Sequence, residues 1–103
     1  MSLLIYQGST PTHQYTIPYP KDAVSEVLIT YAQNDKIVVE KTGESVTVSD
    51  YAVQTELTQT DTLKFLTQDP VAIQLKIKFT TGKVLPSDIL YAPVMEVLNR
   101  EEL

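Results

Sequence analysis

The 103 residues, 43% of them hydrophobic and 20% charged, suit one ordinary globular core rather than a disordered or membrane-spanning chain. Thirteen acidic residues against eight basic ones leave a net charge of −5, and the lysines form no run, so a phosphate backbone is repelled and nucleic acid is not expected as a partner. Without cysteine there is no disulfide framework, no thiolate zinc site and no thiol nucleophile.

The opening Met1-Ser2-Leu3-Leu4-Ile5-Tyr6 is apolar but has no basic start and no small-residue cleavage site, so it reads as a first strand and not as an export signal. No later segment reaches the ~20 apolar residues needed to cross a bilayer. The expectation is a protein that is cytoplasmic at synthesis, without a membrane partner.

Gln14-Tyr15-Thr16-Ile17 is the next candidate strand. Pro11, Pro18 and Pro20 flank it, and because proline cannot donate to a ladder they confine it to a sheet edge. Glu26 to Gln33 is rich in β-formers, Asn34-Asp35 makes a turn, and Ile37 to Glu40 follows. Thr42-Gly43-Glu44 then separates that run from the alternating Ser45-Val46-Thr47-Val48. These read as three consecutive antiparallel strands. Ser49-Asp50 breaks the pattern, and Tyr51 to Leu57 resumes it with Val53, Thr55 and Leu57 on one face.

Thr58-Gln59-Thr60-Asp61 has the form of a capping box, in which Thr58 accepts a backbone N–H near Asp61 and Asp61 reaches back. A single helical turn is expected there, with Leu63 and Phe65 pointing inward as a plug. Val71 to Phe79 alternates with every odd position apolar, the mark of a half-buried strand. Thr80-Thr81-Gly82-Lys83 turns it into the apolar segment Val84 to Leu98, forming a hairpin. Pro93 in that last strand implies an edge or a bulge.

Short strands with turn signals about every 8 to 12 residues give the fold class. It is all-β, an immunoglobulin-like antiparallel β-sandwich of about seven strands with one short helical turn, as a single domain over residues 1–103.

No residue pattern reads as catalytic, and no cofactor or metal site is expected. His13 is the only histidine and reads as a surface residue at a strand start. There is no nucleophile elbow, P-loop, dinucleotide fingerprint or paired-histidine zinc motif. Asp22, Asp35, Asp50, Asp61, Asp69 and Asp88 fall at loops without calcium-loop spacing and read as turn-makers. Of six tyrosines, Tyr31, Tyr51 and Tyr91 are expected in the core, while Tyr15 and Tyr19, close together between prolines, offer a stacking platform for a glycan. In the last strand, period two sets Ile89, Tyr91, Pro93, Met95 and Val97 toward the core and Leu90, Ala92 and Val94 outward. Such an outward apolar row, coverable by Leu3-Leu4-Ile5 of the same or a neighbouring copy, points to a homo-oligomer interface.

Several stretches resemble a family of short proteins encoded in prophages and related elements of Firmicutes. They are Gly8-Ser9-Thr10-Pro11-Thr12-His13, Tyr31-Ala32-Gln33-Asn34-Asp35, the run from Leu57 to Phe65, the Ile73-Gln74-Leu75 strand, and Ser87-Asp88 with the ending Leu98-Asn99-Arg100-Glu101. Together they span nearly the whole chain, which departs from the family in its extra tyrosines and in Pro93. The opening also resembles the start of amino-terminal domains of phage baseplate proteins. The resemblance implies a non-enzymatic, phage-derived structural or accessory protein, virion-associated, whose partners are itself or other tail, baseplate or virion proteins. A carbohydrate-binding module that uses Tyr15 and Tyr19 is the alternative.

Overall fold

A computed structural model describes residues 3–103 of the chain; Met1 and Ser2, placed in the first strand by the sequence pattern, lie outside the described residues. Strands run in chain order as β1 (Ile5–Tyr6), β2 (Thr12–Thr16), β3 (Val24–Gln33), β4 (Lys36–Lys41), β5 (Val46–Ser49), β6 (Ala52–Glu56), β7 (Val71–Phe79), β8 (Val84–Pro86), β9 (Leu90–Ala92) and β10 (Val94–Met95). The one α-helix among the described residues is α1 (Gln59–Leu63). The strand count exceeds about seven mainly because the last run is broken into three pieces.

One sheet has the order β2-β6-β5 and the facing one β4-β3-β7-β8, with β9 continuing on β7; β1 pairs in parallel with β10. The long strands β3 and β7 lie side by side at the centre, and their alternating apolar residues fill the core. Ile29, Tyr31, Val71 and Ile73 are fully buried, and Leu75 nearly so. From the other sheet come Val53, Thr55 and Leu57, all buried on one face as their spacing requires. Beside an edge position the prolines leave no choice: β2 is the outer strand of its sheet.

The β3–β4 hairpin turns at Asn34 and Asp35, both left-handed with φ of 52° and 64°, the geometry of a two-residue hairpin loop. Periodicity misplaces the strand that follows. β5 does not continue the β3–β4 meander but crosses to the other sheet and pairs with β6. Strand alternation specifies which side chains go inward, not which neighbour a strand takes, and here the Gly43–Ser45 3-10 turn carries the chain across.

The last run also departs from its expected parity. Leu85 faces Ile77 and Leu90 faces Ile73, so partners four residues apart on β7 match residues five apart on the last run. The extra residue is a bulge at Ser87, whose backbone N–H donates to the Leu75 carbonyl (2.7 Å) and whose hydroxyl accepts the Leu75 N–H (3.0 Å). One added residue exchanges the faces of everything after it. Ala92 and Val94 are therefore buried rather than outward, and Ile89, Tyr91, Pro93 and Met95 are exposed rather than inward. Pro93 sits where the run leaves β7 for β1, and its carbonyl accepts the Ile5 N–H at 3.1 Å.

α1 begins with the expected capping box. Thr58 Oγ1 accepts the Asp61 N–H at 3.1 Å, and Asp61 Oδ2 accepts the Thr58 N–H at 2.9 Å. Asp61 Oδ2 also meets Lys41 Nζ at 2.7 Å, tying α1 to the end of β4. Burial alone would raise the Asp61 pKa, but the bonds from Lys41 and Thr58 outweigh it and hold the carboxyl below its ordinary value. Thr58→Ala is expected to cost about 0.5–2 kcal/mol in urea unfolding, and Thr60→Ala less, since the Thr60 hydroxyl bonds only the exposed Glu102. Equal losses would mean that the box contributes nothing.

Candidate functional site

Three places could act on another molecule: a buried polar cluster, a hollow on the outer sheet face, and an uncovered apolar strip. The cluster arises because residues 13 and 15 of β2, and Ile17 just after it, share one inward face. His13, Tyr15 and Ile17 are all buried, which corrects the expectation of a surface histidine and of a Tyr15 stacking platform. The Tyr15 and Tyr31 hydroxyls meet at 2.8 Å, and His13 Nδ1 lies 3.0 Å from the Tyr31 hydroxyl and 3.3 Å from that of Tyr15. His13 Nε2 has no hydrogen-bond partner among the described residues.

Burial lowers the His13 pKa and pushes that of Tyr15 up to about 12, a rise moderated by the bond to Tyr31. Tyr31 rises further, through its own burial first and then through Tyr15 beside it. All three groups are neutral at pH 7 and sealed inside, so the cluster joins the two sheets instead of presenting a base to a substrate.

The other tyrosines are also redistributed. Tyr19 is half-buried with its ring edge-on to Phe79, centroids 4.8 Å apart, and is no free platform. Tyr51 and Tyr91, expected in the core, are exposed. Tyr51 adopts a left-handed conformation (φ 63°) at the β5–β6 turn, and Tyr91 follows the face exchange at Ser87.

Tyr91 borders the hollow. Ala32 faces Ala72 across β3 and β7, and Ala72 faces Tyr91 across β7 and β9, so two methyl groups floor a depression of about 400 Å³. Its polar wall is held by Gln33, 5% exposed, whose amide donates to the carbonyls of Leu66 and Asp69 (2.8 Å each) and accepts the Leu66 N–H (2.8 Å). Asn34 Nδ2 donates to Asp69 Oδ2 at 3.0 Å. Residues 33 and 69 are too distant in sequence for any motif to link them; the signal that could have been read is a polar residue at an inward position of β3.

The strip consists of Leu85 and Leu90. Their partners Ile77 and Ile73 are core residues, so both leucines lie on the core-facing side of the sheet, yet they are 48% and 41% exposed. The facing sheet has β2 as one edge strand. Of the residues expected at an interface, Ile5, Ala92 and Val94 are buried and Leu3 is packed against the core, leaving Leu4 and Leu90 at the surface. Of Leu3-Leu4-Ile5, Ile5 pairs with the last run within the chain, facing Val94.

The loop aspartates act locally: Asp50 accepts the Lys21 N–H, Asp61 caps α1 and Asp69 holds Asn34. Among the described residues no three acidic or imidazole groups gather as a metal site would require, and no helix is long and apolar enough to cross a membrane.

No protein-family model matches the sequence, and no curated protein matches it. Among solved structures the chain is similar to the immunoglobulin-like domain of mouse leukocyte-associated immunoglobulin-like receptor 1, crystallised as a strand-swapped dimer. The likeness covers 91% of this chain and 88% of that one, with 15% identity and a TM-score of 0.50. At that identity the likeness speaks to the fold alone, and with the strand order above it makes this chain an immunoglobulin-like β-sandwich.

Proposed function

We propose that the chain is a non-enzymatic structural or accessory protein of a phage-derived particle, which works by protein–protein contact and associates with copies of itself through the Leu85–Leu90 strip. The observation that carries the contact is the exposure of two leucines on the core-facing side of a sheet, where an apolar surface continuous with the core ends without a cover. Support for the particle setting comes from the resemblance over residues 8–13, 31–35 and 57–65. A second copy laid over the strip would remove both leucines from water.

Light scattering over a range of concentrations tests the contact. The wild-type chain is expected at a multiple of its 11.5 kDa mass, and Leu85→Asp/Leu90→Asp at the single-chain mass with an unchanged circular dichroism spectrum. A wild-type protein that stays at the single-chain mass, or a double variant that associates as before, would refute it. Mass spectrometry of particles purified from an induced lysogen tests the setting separately.

A further inference from the structure

We propose that the hollow on the outer face of β3, β7 and β9 binds a neutral saccharide, with the Tyr91 ring as its stacking surface. This goes beyond the contact at Leu85 and Leu90, which lies on the opposite face of the same sheet. The Tyr91 side chain is 65% exposed beside the methyl floor of Ala32 and Ala72, so one ring stands at the border of a depression instead of packing into it. A phenol ring offers a flat apolar face with negative charge density, which suits the C–H face of a pyranose.

The rest of the wall suits the hydroxyls of the same ring. Gln74 Nε2 is held by the Ser87 carbonyl at 2.8 Å, and its Oε1 has no partner among the described residues. Asp69 gives only one oxygen to Asn34, leaving the second as an acceptor, and Thr30 adds a hydroxyl. These groups come from two strands and a loop, but the buried Gln33 bonds fix that loop against β3, so little ordering is left to binding.

Charge narrows the ligand class. Asp35 and Asp69 line the hollow and no lysine or arginine does, on a chain of net charge −5, which disfavours sialylated, sulfated and phosphorylated sugars and nucleotides. The volume lies at the small end of the ~300–1,000 Å³ typical of ligand sites, room for one or two sugar rings. A proline-rich peptide could also use an exposed tyrosine, but it would leave the convergent carboxylate and amide groups without donors and acceptors to meet.

The test is a nuclear magnetic resonance titration of the full ¹⁵N-labelled chain with cellobiose, lactose and di-N-acetylchitobiose, with sialyllactose and a polyproline peptide as comparisons. At least one neutral disaccharide is expected to shift the amides of Ala32, Ala72, Asp69 and Tyr91 together. Tyr91→Ala is expected to weaken that binding about five- to tenfold, Tyr91→Phe to preserve most of it, and Gln74→Ala to weaken it without touching the ring. The proposal is overturned by no shift with any of the three, by binding that survives both Tyr91→Ala and Gln74→Ala, by equal binding of sialyllactose, or by a response to the peptide alone.

Discussion

Phe65→Ala is expected to remove about 3–5 kcal/mol from the unfolding free energy, against a total of about 5–15 kcal/mol for a domain of this size. The ring is 1% exposed and lies 6.1 Å from the Tyr31 ring. It belongs to the segment that leaves α1 and carries the chain from β6 in one sheet to β7 in the other, and it closes that end of the core. Its backbone carbonyl accepts the Gln7 amide at 2.8 Å, which binds the segment after β1 to the same plug. A cavity there cannot collapse easily, because sheets hold its walls on both sides. The neighbouring Leu66→Ala, at a side chain 54% exposed, should cost less than about 0.5 kcal/mol. Urea unfolding of both variants makes the comparison, and similar midpoints would show that Phe65 is not the plug.

Acid should destabilise the domain well before its carboxylates titrate. His13 has a folded pKa below its ordinary 6.5 because burial disfavours the charged ring, so between the two values the unfolded chain binds more protons than the folded one. The stability contributed by the neutral ring is fully present above pH 6.5 and is lost as pH falls from there through the folded pKa. The groups facing His13 are the Tyr15 and Tyr31 hydroxyls, neutral over this range, and protonation would put an N–H on Nε2 where no acceptor stands among the described residues. Asp61, held low by Lys41 and Thr58, contributes stability above 3.8 and loses it only below that, so the two windows separate. Denaturation midpoints measured from pH 8 to pH 4 should therefore be level at first and then decline, and His13→Gln should remove the decline. A slope that persists in His13→Gln would assign it to other groups.

Local chemistry was legible in the sequence wherever one short segment held all of it. The Thr58–Asp61 box, the odd-numbered apolar face of β7 and the proline-marked edge at β2 each depend on residues within a few positions of one another, and each is present. Even the burial of His13 was available, since it stands two and four residues from the apolar Tyr15 and Ile17. What periodicity cannot carry is a choice between partners or a change of phase. β5 alternates equally well beside β4 or β6, and the polar Ser87-Asp88 marks a break in the last apolar run without specifying that its faces exchange there. The candidate sites inherit that second error. Tyr91, Leu85 and Leu90 acquire their exposure from the register after the bulge, and the Gln33 clamp joins segments that no spacing rule connects.

The parallel pairing of β1 with β10 also governs how the domain carries tension. Both strands run in the same direction, so a load entering ahead of Ile5 and leaving beyond Met95 pulls them past each other lengthwise. The bonds from Ile5 N–H to the Pro93 carbonyl and from Gln7 N–H to the Met95 carbonyl then share the strain together, where a hairpin pulled at its open end would unzip bond by bond. The exposed tail peels first, giving up the Arg100 contact to the Leu63 carbonyl and the Leu103 contact to Gln59 before force reaches that clamp.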